Sequence, residues 1–469
     1  MKRFWLVLLS LGLVMAFSAS AFAVDVKFSG NFQVGGLYVN KTTLNGDAVA
    51  TGTGPSTAFY FQRLQLTTEF VAAPGVSVVT RANIMERVWG ATRSTTPGAG
   101  VADARVGYGT AAYTAENENI GFDFAHLKYA SPIGLFIIGY QPNGAWGTVF
   151  GDSMAPAGRI SYLVPVGKAT LGAAVVKTNA KENSYRAGNT TATLADKDGD
   201  IYYLFGRYTD KNVEAGLLYG YVNDASPRSS TEAGSYKTQA HGLAPYVKAT
   251  IGPVKIQAEV NYYFGKVMKY DSTLNSDVDL NSLGYWINAV GTFGPVYVGG
   301  TFAYSQGQSD DTKKVTQYVT GGTDWSPALI MWNQDRAYWF GNLTSAHLST
   351  NTVTGVATTF GAAMTNAYFF QANVGVKPND KLDINAAFSY AYADTTNLRN
   401  VATGAITTAS LSKDYGYEID VTGTYKITNN LSYMLGVGYL VTGDYFKGNT
   451  STNTINNDYL VINKLTLTF

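Results

Sequence analysis

The chain has 469 residues, of which 50 are glycine, 33 are tyrosine and 23 are phenylalanine, while only 14% are charged. Its formal charge of +1 excludes a nucleic-acid binder driven by a broad basic field, and the absence of cysteine excludes disulfides, thiolate metal sites and cysteine nucleophiles. The many aromatic residues exclude a disordered chain, and only the N-terminus has an apolar run approaching the ~18 residues of a membrane helix. The composition favours a β-rich protein with no cofactor and no metal.

The first predicted element is a cleaved secretory signal over residues 1–23. A positively charged start precedes an apolar stretch over residues 4–17, and Ala21 and Ala23 are the small residues that signal peptidase selects. The alternative, a transmembrane anchor, is disfavoured because the apolar stretch is short. Cleavage after Ala23 leaves residues 24–469 as a single domain that acts beyond the inner membrane.

From residue 24 onward, apolar and polar residues alternate with the two-residue period of β-strands. In residues 254–264, for example, Val254, Ile256 and Val260 lie on one face and Glu259 lies on the other. Charged residues of the predicted strands lie almost entirely on the polar face. This pattern fits a soluble sandwich with a dry core, and it equally fits a membrane barrel whose apolar face meets lipid.

The lengths of strands and loops favour the barrel. Most predicted strands have about 10 to 14 residues, whereas strands of soluble proteins usually have about five or six and a tilted bilayer crossing takes about 9 to 11. Tight turns alternate with long polar loops, and tyrosine is concentrated near strand ends on the apolar face, for example at Tyr38, Tyr129, Tyr304 and Tyr392. The alternation changes parity within residues 122–129, which predicts a β-bulge there.

We therefore predict an all-β, transmembrane, antiparallel up-and-down barrel with 18 strands, short periplasmic turns and long extracellular loops. Sixteen strands is the main alternative, and an even number places both chain ends on the periplasmic side. The predicted strands are residues 25–39, 58–72, 76–88, 118–130, 134–140, 159–165, 168–178, 200–209, 212–222, 238–251, 254–266, 281–293, 295–306, 360–376, 380–393, 413–427, 430–443 and 457–469.

The sequence resembles the Gram-negative outer-membrane porins, in particular the general diffusion porins. The resemblance rests on the signal peptide, the opening strand, RLQLTTEFVAAPGVSVVTR at 63–81, SPIGLFIIGYQPNGAWGTVFGD at 131–152, and Phe469 at the end of the last strand. It implies a homotrimer, recognition of Phe469 by the barrel-assembly machinery, and a third outer loop that folds into the lumen at residues 141–158. The Pro-Glu-Phe-Gly tetrad of the best-known porins is replaced here by Ala-Trp-Gly-Thr at 145–148.

A barrel of 16 to 18 strands is too wide for its side chains to fill, which predicts a water-filled channel for passive diffusion of small hydrophilic solutes and ions across the bacterial outer membrane. Its other partner is membrane lipid, and no nucleic acid is expected. Charges near mid-height set ion preference, and we expect arginines on one wall and carboxylates on the other. The candidate pore-lining and constriction residues are Arg63, Glu69, Arg81, Asp152, Arg159, Arg207, Glu259, Glu418 and Asp420.

Two other functions are alternatives to a channel. An outer-membrane hydrolase would need a histidine beside a nucleophile, but His126, His241 and His347 are dispersed in the sequence and no GxSxG motif is present, so we predict that the protein is not an enzyme. A structural or adhesive barrel would present its long outer loops to partners. The aromatic residues of the 307–359 segment therefore form either a binding surface or the interior of a folded loop.

Overall fold

A computed structural model describes residues 25–41, 43–46, 56–90, 117–153, 155–179, 197–228, 234–319, 321–345, 347–348, 360–400 and 404–469. The predicted signal segment, with Ala21 and Ala23, lies outside these residues. The described residues form one closed antiparallel barrel of eighteen strands, as predicted, rather than sixteen. Each strand pairs with the next strand in the chain, and the first strand also pairs with the last.

The barrel strands are β1 (Asp25–Val39), β2 (Thr57–Ala73), β3 (Val76–Val88), β4 (Asn117–Ser131), β5 (Gly134–Asn143), β6 (Ala155–Val166), β7 (Ala169–Asn179), β8 (Gly199–Thr209), β9 (Val213–Asp224), β10 (Tyr236–Ile251), β11 (Val254–Tyr270), β12 (Val278–Phe293), β13 (Val296–Ser305), β14 (Ala367–Asn379), β15 (Leu382–Tyr392), β16 (Asp414–Lys426), β17 (Leu431–Thr442) and β18 (Asp458–Thr468). Short pieces lie in the long loops. They are Lys314–Val315, which runs parallel to β12, the pair Asn397–Arg399 and Ile406–Thr408, helix α1 (Gln334–Trp339), and a 3-10 turn at Asp444–Lys447.

The start of strand β14 is the largest error in the predicted boundaries. Alternation continues in the sequence as far back as residue 360, but the strand begins at Ala367. The preceding segment turns into the barrel, where the backbone of Phe360 pairs in both directions with that of Leu343 (N···O distances of 3.0 and 3.1 Å). Phe360 is buried in this interior, so its apolar character does not indicate a position on the barrel wall.

The β-bulge predicted within residues 122–129 is present in β4. Arg81 of β3 pairs with Phe124, and the next residue of β3, Ala82, pairs with Phe122, so Asp123 is the extra residue. Phe122 is 66% exposed on the outer face, whereas Phe124 is buried on the inner face. The bulge therefore switches the parity of β4 and brings a carboxylate to the inside.

The outer face of the barrel is an apolar surface with aromatic residues near the strand ends. In β16, for example, Ile419 and Val421 are about half exposed, while Glu418 and Asp420, which alternate with them, are buried on the inner face. At the loop end, the rings of Tyr304 and Tyr368 lie 4.6 Å apart across the strands. Such a surface is that of a barrel in contact with lipid. No helix among the described residues is long and apolar enough to cross a membrane.

The barrel seam closes between β1 and the last residue. The amide of Gly30 donates to the carbonyl of Phe469 at 2.8 Å, and the amide of Phe469 donates back at 3.1 Å. The ring of Phe469 lies directly over Gly30, because a Cβ atom on this glycine would be only 2.6 Å from the ring carbon Cζ. Glycine at position 30 therefore makes room for the last aromatic side chain.

Replacing Gly30 by valine is expected to displace the Phe469 ring and to weaken the seam by about 1–3 kcal/mol, the usual cost of overpacking. The folded fraction after refolding into detergent should fall, as measured by the heat-dependent shift of the folded barrel on a gel. Gly423→Val is the matched control, since a Cβ atom there would meet nothing within 4 Å. Equal folding of the two variants would contradict this description of the seam.

Candidate functional site

The lumen is partly filled by loop 7, the connection between β13 and β14 at residues 306–366. Within its described part, Trp325, Trp332 and Trp339 are all buried. Trp339 stacks on Phe61 of the barrel wall with ring centroids 4.5 Å apart, and Trp332 packs edge-on against Phe360 at 5.1 Å. The described part of the loop thus packs its aromatic residues inside the barrel, and the hydrophobic core of the protein lies there too.

Two carboxylates of β16 hold loop 7 against the wall. Glu418 accepts hydrogen bonds from the backbone amides of Ile330 (2.6 Å) and Met331 (2.8 Å). Asp420 accepts one from the amide of Leu329 at 3.2 Å. The expectation that these carboxylates face lumen water is wrong, because the loop covers them: Glu418 is fully buried and Asp420 is 5% exposed. They do point inward, as the alternation predicts.

Loop 3 (residues 144–154) also folds into the lumen, at the position that the sequence suggests. Its anchor is Glu259 of β11, which is only 2% exposed. The carboxylate accepts hydrogen bonds from the amide of Thr148 (2.6 Å), the hydroxyl of Thr148 (2.7 Å) and the side chain of Asn261 (2.9 Å). Glu259 was also expected to face open water. Like Glu418, however, it is buried, and its carboxylate accepts hydrogen bonds from a loop.

Two glycines allow loop 3 to wrap around this carboxylate. A Cβ atom at Gly147 would be 2.6 Å from Oε2 of Glu259, and one at Gly151 would overlap Oε1. Gly147 also has φ of +77°, a conformation that residues with a side chain rarely adopt. The Ala-Trp-Gly-Thr segment at 145–148 is therefore suited to accept a carboxylate from the wall rather than to supply one.

Trp146 at the centre of loop 3 is fixed on three sides. Its indole nitrogen donates to the carbonyl of Ala244 at 2.8 Å, and its ring packs edge-on against Tyr246 and Phe205 at 5.4 and 5.6 Å. Asp152 accepts a hydrogen bond from the Trp146 amide at 2.6 Å. Because it binds this amide, the candidate constriction residue Asp152 braces the loop, and burial raises the pKa of its carboxyl.

Loops 3 and 7 are joined to each other. The amide of Gly322 in loop 7 donates to the carbonyl of Phe150 at 2.5 Å, and the amide of Thr323 donates to the hydroxyl of Ser153 at 3.0 Å. The rings of Phe150 and Trp325 meet edge-on at 5.2 Å. The two loops therefore form one folded unit inside the barrel.

Two of the predicted arginines are neutralised by acids on neighbouring strands. Arg81 lies 2.7 Å from Asp123, and Arg63 lies 3.4 Å from Glu86. These pairs run along one wall and do not face each other across the lumen. Asp123 and Glu86 were missed by the sequence analysis. The parity change in β4 was a usable signal for Asp123, whereas Glu86 turns inward through a register shift after Ile84 that no sequence pattern indicates.

Two adjoining cavities remain open beside loop 3. The larger has a volume of about 580 Å³ and extends along the inner face of β3–β6 and β8–β11. The smaller has about 260 Å³ and is lined by charged residues that include Arg207, Glu214 and Lys248. Trp146 and Phe205 line both cavities, so the two lie on either side of this aromatic pair.

Comparison with known proteins concerns the fold. No protein-family model and no curated protein matches the chain. OccK9 (OpdG) of Pseudomonas aeruginosa is similar, with a TM-score of 0.50 and 12% identity over 94% of this chain and 99% of that chain. OccAB3 and the outer membrane channel DcaP, both of Acinetobacter baumannii, have TM-scores of 0.47 and 0.43, 10% and 12% identity, and cover 94% and 96% of this chain and 99% of theirs.

The chain has the fold of an outer-membrane porin. Within this porin fold, three further candidate residues differ in their surroundings. Glu69 accepts a hydrogen bond from the Ser77 hydroxyl at 2.8 Å. Arg207 lies exposed near the turn end of β8, and Arg159 lies near mid-height in β6. Among the described residues, no carboxylate lies within 4.0 Å of either arginine.

The charges of this porin-fold lumen are therefore distributed differently from the expected transverse arrangement. The predicted carboxylates of β11 and β16 bind loops, and two of the predicted arginines have acid partners beside them. Arg159 and Arg207 are left as cations of the inner face. No cluster of three or more metal-binding side chains occurs in the described part of the chain.

Proposed function

We propose that the protein is a passive channel of the bacterial outer membrane for small hydrophilic solutes and ions. The observation that supports this most directly is the closed barrel of eighteen strands with two adjoining cavities in its interior. The apolar outer face can contact the lipid chains of the bilayer, and the interior provides polar groups that the bilayer lacks. Diffusion along such a path needs no chemical step.

The path runs along one side of the barrel. Loop 7 packs against β1, β2 and β16–β18, as shown by the contacts of Trp339 with Phe61 and of Asp335 with Lys464 (2.5 Å). The two cavities lie on the other side, next to β3–β11. Solutes therefore pass along these cavities, and their size limit is set at Trp146, which packs against this wall between the two.

Reconstitution in a planar bilayer tests the proposal. We expect stepwise current increments whose size follows the conductivity of the salt solution, because ions in a wet lumen move much as they do in bulk water. Liposomes containing the protein should swell in isotonic solutions of small uncharged sugars. The control is detergent carried through the same reconstitution without protein. A folded barrel that produces no current and no swelling would contradict the proposal and would favour a structural or adhesive role.

The proposed channel also has protein partners. A porin-like channel is expected to be inserted by the barrel-assembly machinery, to which Phe469 is presented, and to assemble as a homotrimer. Chemical cross-linking in native membranes followed by separation under denaturing conditions should give a ladder that ends at three chains. An enzymatic role is not part of the proposal; the ring of His241 bonds to the Tyr219 hydroxyl and that of His347 to the Thr454 carbonyl.

A further inference from the structure

A polar patch interrupts the apolar outer face of the barrel near the loop ends of β10 and β11. In β10, Val247 is exposed on the outer face. The two-residue alternation then places His241, Gln239 and Lys237 on the same face, closer to the loop. Lys269 of β11 joins them, because its Nζ donates to Oε1 of Gln239 at 2.9 Å. Charged side chains on the outer face are costly beside lipid chains, so the patch indicates the level of the lipid head groups.

The position of the patch along the strands agrees with this level. β11 begins at Val254, directly after a short turn, and Lys269 follows 15 residues later. A tilted strand crosses the hydrocarbon layer in about 9 to 11 residues, so Lys269 lies beyond that layer at the loop end. Just below it is an aromatic layer, in which His241 lies 5.1 Å from the rings of both Tyr221 and Phe264. The patch therefore lies at the outer leaflet, above the aromatic belt.

Two lysines of the patch face each other across the strands. Lys237 is directly opposite Lys269 in the pairing of β10 with β11. Like charges at opposed positions destabilise a pair of strands. In the part of the chain that the structure describes, no carboxylate lies within 4.0 Å of either ammonium group. An anion bound between the two lysines would relieve their repulsion.

The acids nearby already have cationic partners. Lys266 lies 2.6 Å from Asp279 and 3.8 Å from Asp277. Asp271, in the loop that follows β11, lies 3.0 Å from Arg228. These ion pairs leave the charges of the two opposed lysines available to an external anion.

A groove of about 820 Å³ lies beside this lysine pair on the outer face. Its lining includes the rings of Tyr219, Tyr221 and His241. Gln239 is held at the groove because its amide donates to the Tyr221 hydroxyl at 3.2 Å and to the Asn223 side-chain oxygen at 3.3 Å. The groove thus offers flat rings with polar edges, which suit a boundary between lipid chains and hydrated sugar.

We propose that this groove binds the phosphorylated sugar head group of an outer-leaflet glycolipid, with a phosphate between Lys237 and Lys269. A phosphate group carries a charge of about −1.5 to −2, enough to balance both ammonium groups. An acylated ligand fits better than free phosphate, because Leu204 and Leu217 below the groove are 62% and 52% exposed and would be covered by its chains. This inference goes beyond the proposed channel function, since the lipid is bound outside the lumen.

Native mass spectrometry of the full chain in detergent tests the proposal. The probes are lipid A with two phosphates, the same lipid A after enzymatic removal of both phosphates, and inorganic phosphate. We expect the phosphorylated lipid A to bind about 10-fold or more tightly than the dephosphorylated form, because its phosphate adds charge-assisted hydrogen bonds to the same acyl contacts. This comparison needs no variant. Equal binding of the two lipids would overturn the proposal, and so would inorganic phosphate that displaces lipid A at equal concentration.

The double variant Lys237→Gln and Lys269→Gln should weaken the binding of phosphorylated lipid A by about 10- to 100-fold and leave that of the dephosphorylated form unchanged. The control is Lys211→Gln with Lys381→Gln, which removes two positive charges from exposed turns at the other end of the barrel. The heat-dependent shift on a gel shows whether each variant is folded. Wild-type affinity in the folded Lys237 and Lys269 variant, or an equal loss in the control, would overturn the assignment of the two lysines.

Discussion

Replacing Glu418 by alanine is expected to release loop 7 from the barrel interior and to open a wider channel. The change leaves the buried amides of Ile330 and Met331 without their acceptor, at a cost of about 1–3 kcal/mol each. A total loss of about 3 kcal/mol changes the ratio of seated to released loop by about 100-fold. Single-channel recordings should therefore show a larger conductance level that the wild-type protein visits rarely.

A second variant approaches the same contact from the opposite side. A Cβ atom at Gly438 would lie 2.6 Å from Oδ1 of Asp420 and 3.1 Å from the Cβ atom of Leu329, so Gly438→Val should also push the loop off the wall. Glu69→Ala is the control, since it removes a carboxylate whose side-chain hydrogen bond among the described residues comes from Ser77 and not from a loop. If both loop variants kept the conductance of the wild type, the idea that loop 7 limits the channel would be wrong.

The position of loop 7 can be measured directly because the chain contains no cysteine. Ala328 is buried in the seated loop, so a single Ala328→Cys change introduces a thiol that a water-soluble reagent reaches slowly. Adding Glu418→Ala to this variant should raise the labelling rate by about the same 100-fold factor. A labelling rate that does not change would show that other contacts of the loop, such as its tryptophan packing, hold it in place.

Removing the anchor of loop 3 is expected to have the second large effect, this time on selectivity. Glu259→Ala leaves the amide and hydroxyl of Thr148 without their shared acceptor, and Gly151→Val places a side chain where the carboxylate lies. Either change should move Trp146 away from the wall and merge the two cavities. The conductance should rise, and the preference for one ion sign should fall, because the lumen charges then act across a wider layer of water.

Reversal potentials in a salt gradient measure this effect. The two variants should shift the reversal potential toward zero, and they should do so to a similar extent because both act on the same loop. Gly158→Val is the control: it lies in β6 near the loop, and a Cβ atom there meets nothing closer than 3.7 Å. A reversal potential unchanged in Glu259→Ala and in Gly151→Val would mean that loop 3 does not form the selective part of the channel.

Most strands could be predicted from the alternation alone because each one must cross the bilayer with one face in lipid. The ends of β1 and β3 were predicted at the residues where they occur, and the parity change within residues 122–129 predicted the bulge that the structure places at Asp123. The alternation gave the wrong start for β14, because Phe360 is apolar for a reason other than contact with lipid. It packs in the interior of loop 7, and the sequence does not distinguish an apolar side chain facing lipid from one facing a packed loop.

The chemistry of the lumen was less predictable than its walls. The alternation placed Glu259, Glu418 and Asp420 on the inner face, where they are found. It could not show what they bind, because Ile330 lies 88 residues from Glu418 in the chain and Thr148 lies 111 residues from Glu259. Their partners are mainly backbone amides, which nearly every residue carries, so no pattern of side chains identifies them.

The sequence by itself therefore determined a closed cylinder, the lipid-facing and inward-facing side of most of each strand, and the positions of the long loops. These features follow from short-range periodicity and from the requirement that every backbone group in a membrane be paired. Only the tertiary structure decided that loops 3 and 7 meet inside the barrel, that three inward carboxylates hold them, and that Arg159 and Arg207 are left as cations of the inner face. Those outcomes depend on contacts between distant segments, which compete for the same space and the same hydrogen-bond partners.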